Sequence, residues 1–128
     1  MLMGHNLKLK TQKYSEKELE NDINLFDEQD WVYIFKYQNL SEWFIEKHYD
    51  KIDWSEISWS KKLSEEFIEK YSDKVDWYYI SGYQKLSEKF IKKHIDKIDI
   101  DWLMENNKIS EKLKNKIKKE INLLKEII

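Results

Sequence analysis

The chain has 128 residues with no proline, no cysteine and two glycines, while charged residues make up 38 % and aromatic residues 15 %. This composition excludes disulfides and thiolate chemistry and argues against turn-rich β-sandwiches and barrels. It also argues against disorder, because so many rings supply apolar area to offset chain entropy, and the net charge of −2 gives no footprint for tight nucleic-acid binding by the whole chain.

Residues 1–13 read as an N-terminal arm, a weak strand or an unstructured segment, because Leu7 and Leu9 alternate with lysines. The arm lacks the apolar core of a signal peptide, and nothing along the chain is long and apolar enough for a transmembrane helix. A cytoplasmic protein without membrane association is the expectation. Ser15 with Glu18 is a capping box that opens a first helix through about Leu25. Residues 14–30 are strongly acidic.

From residue 40 the chain repeats itself. Residues 40–62 read LSEWFIEKHYDKIDWSEISWSKK, residues 63–85 read LSEEFIEKYSDKVDWYYISGYQK, and residues 86–108 read LSEKFIKKHIDKIDIDWLMENNK, without gaps. Residues 14–39 form a degenerate earlier copy and residues 109–128 a truncated last one that caps the array. Residues 14–128 are therefore expected to form a single helical-repeat domain.

Each repeat holds two helix starts. Ser41, Ser64, Ser87 and Ser110 are placed as N-caps of a first helix, and Asp53, Asp76 and Asp99 as N-caps of a second. Leu40 with Ile45, Leu63 with Ile68 and Leu86 with Ile91 have the spacing of hydrophobic staples. The first helix is expected to run for about 10 residues, roughly 15 Å, and the second for about 8. Helices this short are marginal alone. Their apolar stripes, built on Phe44, Phe67 and Phe90 and on Ile57, Ile80 and Leu103, must bury against neighbours. The expected fold is all-α, an α-solenoid of stacked helical hairpins closed by a longer C-terminal helix over residues 110–128.

The unit LSEEFIEK-x-x-DKVDW-x-x-I resembles the short 23-residue repeats of giant viruses, phages and AT-rich bacteria. The resemblance covers residues 40–113 well and residues 14–39 loosely. It implies a helical repeat of viral or mobile-element origin, which would work in the host-cell cytoplasm, and it carries over no catalytic residue.

Repetition also bears on chemistry. His48 and His94 share one repeat position where the other copies place Tyr71 and Ile117, so the position reads as packing. His5 has no placed partner. No two histidines have helical ligand spacing, and no metal or other cofactor is expected. The recurrent serines and aspartates read as caps rather than nucleophiles or acid–base pairs, so the chain is not expected to be an enzyme.

Positions that differ between copies are where recognition is sought. Trp43, Trp59, Tyr78, Tyr79, Tyr83 and Trp102 fall at such positions, and Tyr and Trp are enriched in interface hot spots. They are the candidate partner-binding residues, with Gly82 leaving a gap for a partner group; packing between adjacent second helices is the competing expectation for the same rings. Lys114, Lys118 and Lys119 are candidate contacts to an anionic partner. The expected function is a non-catalytic module that binds a host or viral protein, as a viral or phage inhibitor of a host protein comparable by analogy to anti-CRISPR proteins. The alternative is a nucleic-acid binder that stacks bases on its rings. The open second-helix and end surfaces leave room for a homodimer.

Overall fold

The computed structural model describes the backbone of residues 5–127 and the side chains of residues 8–124. The His5 side chain and Ile128, the last position of the expected C-terminal stripe, lie outside the described residues. What is described holds ten α-helices and no strand: α1 (His5–Thr11), α2 (Glu16–Asn21), α3 (Glu28–Tyr37), α4 (Glu42–Lys47), α5 (Trp54–Ser60), α6 (Glu65–Lys70), α7 (Trp77–Tyr83), α8 (Glu88–Lys93), α9 (Ile100–Met104) and α10 (Glu111–Ile127). Two 3₁₀ turns cover Ile23–Leu25 and Tyr49–Lys51. No described helix is long and apolar enough to cross a membrane.

The helix starts follow the caps. The Ser41, Ser64 and Ser87 hydroxyls accept from the backbone N–H of Phe44, Phe67 and Phe90 at 3.1–3.2 Å. Asp53, Asp76 and Asp99 accept from Glu56, Tyr78 and Trp102 in the same way. Ser15 and Glu18 close a full capping box. Asp27 and Asp30 close a second one that the sequence pattern did not single out.

The first helix of each repeat is shorter than its apolar pattern suggests. α4, α6 and α8 each have six residues and end at His48, Tyr71 and His94, whose backbone angles lie near φ −112°, ψ 26 to 35°. From there the chain tightens into three-residue bonding: Lys51, Lys74 and Lys97 donate to the carbonyls of His48, Tyr71 and His94. Bonds of this type end a helix without glycine.

The chain divides into two compact units, one ending at Lys61 and the other beginning at Lys62. In the first unit α3 packs against both α1 and α5, over a core that includes Leu9, Leu19, Ile34, Phe35, Phe44, Ile45 and Ile57. In the second α7 packs against α9, and Ile68, Ile80, Ile91, Leu103 and Ile117 are fully buried. Burying each such side chain contributes about 1.5–3 kcal/mol.

The N-terminal arm is neither strand nor unstructured over its described part. Residues 5–11 form α1, and Leu9 is fully buried. The reason is hydrogen bonding to α3. The amide of Gln38, which is 1 % exposed, donates to the carbonyls of Leu9 and Gln12, and its oxygen accepts from the Tyr14 N–H at 2.9 Å. α1 thus stands to α3 as the second helix of one repeat stands to that of the next. Gln12-Lys13-Tyr14-Ser15 matches Gln38-Asn39-Leu40-Ser41 and Gln84-Lys85-Leu86-Ser87.

Candidate functional site

Two kinds of side-chain cluster link successive repeats. The first kind joins first helices and has the same chemistry in both units. Glu16 receives the Ser41 backbone N–H and hydroxyl, at 2.5 and 2.8 Å. Glu65 receives those of Ser87 at 2.6 and 2.9 Å. Further along the same helices, His48 Nε2 lies 2.6 Å from Glu20 Oε1, and Lys47 lies 3.2 Å from the other oxygen. His94 Nε2 lies 2.8 Å from Glu69 Oε2, off the line of a good hydrogen bond, while Lys93 pairs with the other oxygen.

Each imidazole also rests between two rings. His48 lies 5.1 Å from Trp31 and 4.7 Å from Phe44. His94 lies 5.1 Å from Trp77 and 4.6 Å from Phe90. Burial pushes the Glu20 carboxyl up, but its bonds to His48 and Lys47 and their charges outweigh this and hold it below the usual value. The Lys93 hydrogen bond, with His94 beside it, holds Glu69 down. These histidines occupy packed junctions, and among the described residues no group of three His, Asp or Glu side chains could hold a metal ion.

The second kind of cluster is built from the outward rings of α7 and α9. Trp102 stacks on Tyr78, with centroids 5.3 Å apart and planes 11° apart, and meets Tyr83 edge-on at 5.9 Å. Tyr79 joins through Tyr78 at 5.4 Å and Tyr83 at 6.1 Å. Tyr78 is 49 % and Tyr83 38 % exposed, whereas Tyr79 and Trp102 are half-buried. Trp102 thus packs between the second helices α7 and α9, and Tyr78 and Tyr83 face solvent.

Gly82 has a different role from the gap expected of it. A Cβ there would lie 2.1 Å from Trp102 Nε1 and 2.3 Å from Cδ1. The space is filled by the protein's own indole, whose N–H is buried without an acceptor. Beside this contact a cleft of about 250 Å³ is lined by Gly82, Tyr83, Trp102, Glu105 and Asn107.

Four of the six candidate aromatic residues thus share one cluster in the second unit. Trp43 and Trp59 belong to the first unit. Trp43 is 61 % exposed with the Lys47 ammonium 5.1 Å from its ring centroid, and Trp59 is 40 % exposed. The candidate lysines divide as well. Lys118 and Lys119 are exposed, but Lys114 is buried, with its ammonium 3.2 Å from Glu111. Its position on the packed side of α10, three residues before Ile117, removes it from the surface that an anionic partner would touch.

Sequence reasoning missed the glutamates that bind the cap serines and the histidines. The signal was present: in Glu16 and Glu65 a carboxylate directly follows a cap serine, and in Glu20 and Glu69 one follows it by five residues. Comparison of the chain with known protein families, with characterised proteins and with solved structures gives no match.

Proposed function

We propose that this chain is a non-catalytic protein-binding module whose 23-residue units pack by nearest neighbours as an α-solenoid, and that it acts by occupying the surface of a host or viral protein. One observation carries this reading: Tyr78 and Tyr83 stand half-exposed on a Trp102 platform that Gly82 makes room for. Rings fixed in this way present contact area with few rotors left to freeze, which suits interface anchors. An inhibitor that blocks a host defence protein, comparable to anti-CRISPR proteins, is consistent with a site that holds rings rather than reactive groups.

The test is capture and identification of partners from host lysate with the wild-type chain and with Tyr78→Ala plus Tyr83→Ala. The double variant should keep its helical circular dichroism and lose the partner. Equal capture by both chains would refute the reading.

A second reading, nucleic-acid binding, draws on the exposed Lys118 and Lys119 of α10. It predicts salt-sensitive binding of a labelled single-stranded oligonucleotide that falls when both lysines become Glu.

A further inference from the structure

We propose that the cleft beside Trp102 takes an arginine side chain of the protein partner; this rests on the protein-binding reading and specifies what that site recognises. The cleft is smaller than the roughly 300–1,000 Å³ of small-molecule sites, so it suits one side chain rather than a free ligand. Tyr83 and Trp102 line it together with Glu105, which is exposed.

The one charged residue that lines the cleft is Glu105. α7 has no charged residue and α9 has only Asp101. Lysines flank the two helices, Lys74 and Lys97 before the Asp76 and Asp99 caps and Lys85 and Lys108 after the helix ends, and none of them lines the cleft. Asp76 and Asp99 already accept backbone N–H groups. Asp101 and Glu105 form no ion pair among the described residues.

Aromatic residues beside a carboxylate that forms no ion pair select a cation. Between the two cationic side chains, the planar guanidinium is the better match. It stacks on a ring with its face and donates two parallel N–H bonds to a carboxylate with its edge. The Glu105 carboxylate repels phosphate, which sets this cleft against a phosphate group.

The test is a titration of the full-length chain followed through the indole N–H resonance of Trp102, assigned with Trp102→Phe. The probes are N-acetylarginine amide, N-acetyllysine amide and the neutral N-acetylcitrulline amide. The arginine probe should shift the resonance saturably, the lysine probe should bind several-fold more weakly, and citrulline should leave it unmoved. Glu105→Gln should weaken the arginine response several-fold while Glu28→Gln leaves it unchanged. Equal responses to arginine and citrulline, or an arginine response indifferent to Glu105→Gln, would overturn the inference. If the arginine probe gives no shift but Tyr78→Ala plus Tyr83→Ala still loses its partner, the arginine inference falls and the protein-binding reading stands.

Discussion

In the second unit, the junction of α6 with α8 and the junction of α7 with α9 come from the same 23-residue period but use their side chains differently. At the first, Glu65 binds the start of α8 and Glu69 faces His94. The first unit repeats this with Glu16, Ser41, Glu20 and His48. At the second, the backbone ends are held, because the Asn106 amide donates to the carbonyls of Ser81 and Gln84, both at 2.8 Å. The outward rings Tyr78, Tyr79 and Tyr83, however, occupy registers where the copy at residues 40–62 carries Ser55, Glu56 and Ser60 and the copy at residues 86–108 carries Asp101, Trp102 and Asn106. A position that recurs with its partner is committed to holding the fold. A position that changes while its backbone stays put is free to meet something else.

The largest way to break this contrast is Phe90→Ala. It removes the ring beneath both Trp77 and His94 and should cost about 3–5 kcal/mol, read from urea unfolding by circular dichroism. Gly82→Ala comes next. The indole must move, so about 1–3 kcal/mol of overpacking strain is expected, together with a shift in tryptophan emission. An unchanged melt would mean that Trp102 does not rest on Gly82.

Ser87→Ala removes one N-cap hydroxyl and one partner of Glu65, and should cost about 1 kcal/mol. Because Ser41 meets Glu16 in the same way, Ser41→Ala should cost a similar amount. Unequal effects would separate the two junctions that geometry makes alike.

The smallest effects are read against pH. Lys61 donates to the Gln38 carbonyl at 2.5 Å, and burial with the nearby Lys13 charge lowers its ammonium from 10.5 to about 8. The unfolded chain holds this proton more tightly, so stability should rise as pH climbs from 8 towards 10.5. Lys61→Gln should flatten that rise. Glu20 and Glu69 have the same sign in a lower pH window. Their lowered values mean that their contribution is present above the ordinary carboxylate value of 4.5 and is lost as pH falls through the folded value. Glu20→Gln plus Glu69→Gln should reduce the acid sensitivity of the melt.

Much of this was legible in the residues. The period, the serine and aspartate caps and the phenylalanine core follow from local chemistry, which periodicity displays directly. Three features were not. The six-residue length of the first helices is set by the turn at His48, Tyr71 and His94, whose side chains continue the apolar stripe although the backbone has left the helix. α1 was hidden because Leu7-Lys8-Leu9-Lys10 alternates like a strand, and only the Gln12-to-Ser15 spacing marks it as the end of a helix. Trp102 over Gly82 joins positions 20 apart on two helices, and no local rule pairs them. At the candidate site the residue types were legible, but their division into packed and exposed rings was not.

The helix ends are completed by other repeats in both chain directions. The starts of α4 and α8 draw on Glu16 and Glu65, which precede them, whereas the last carbonyls of α1 and α7 draw on Gln38 and Asn106, which follow them. A repeat cut out alone would carry unmet donors at one end and unmet acceptors at the other. Helices this short draw their stability from couplings to neighbouring helices rather than from their own length. Within each unit such coupling makes partial unfolding costly at every boundary, so each unit should melt as one block despite being assembled from helices of five to ten residues and, in the second, one of 17.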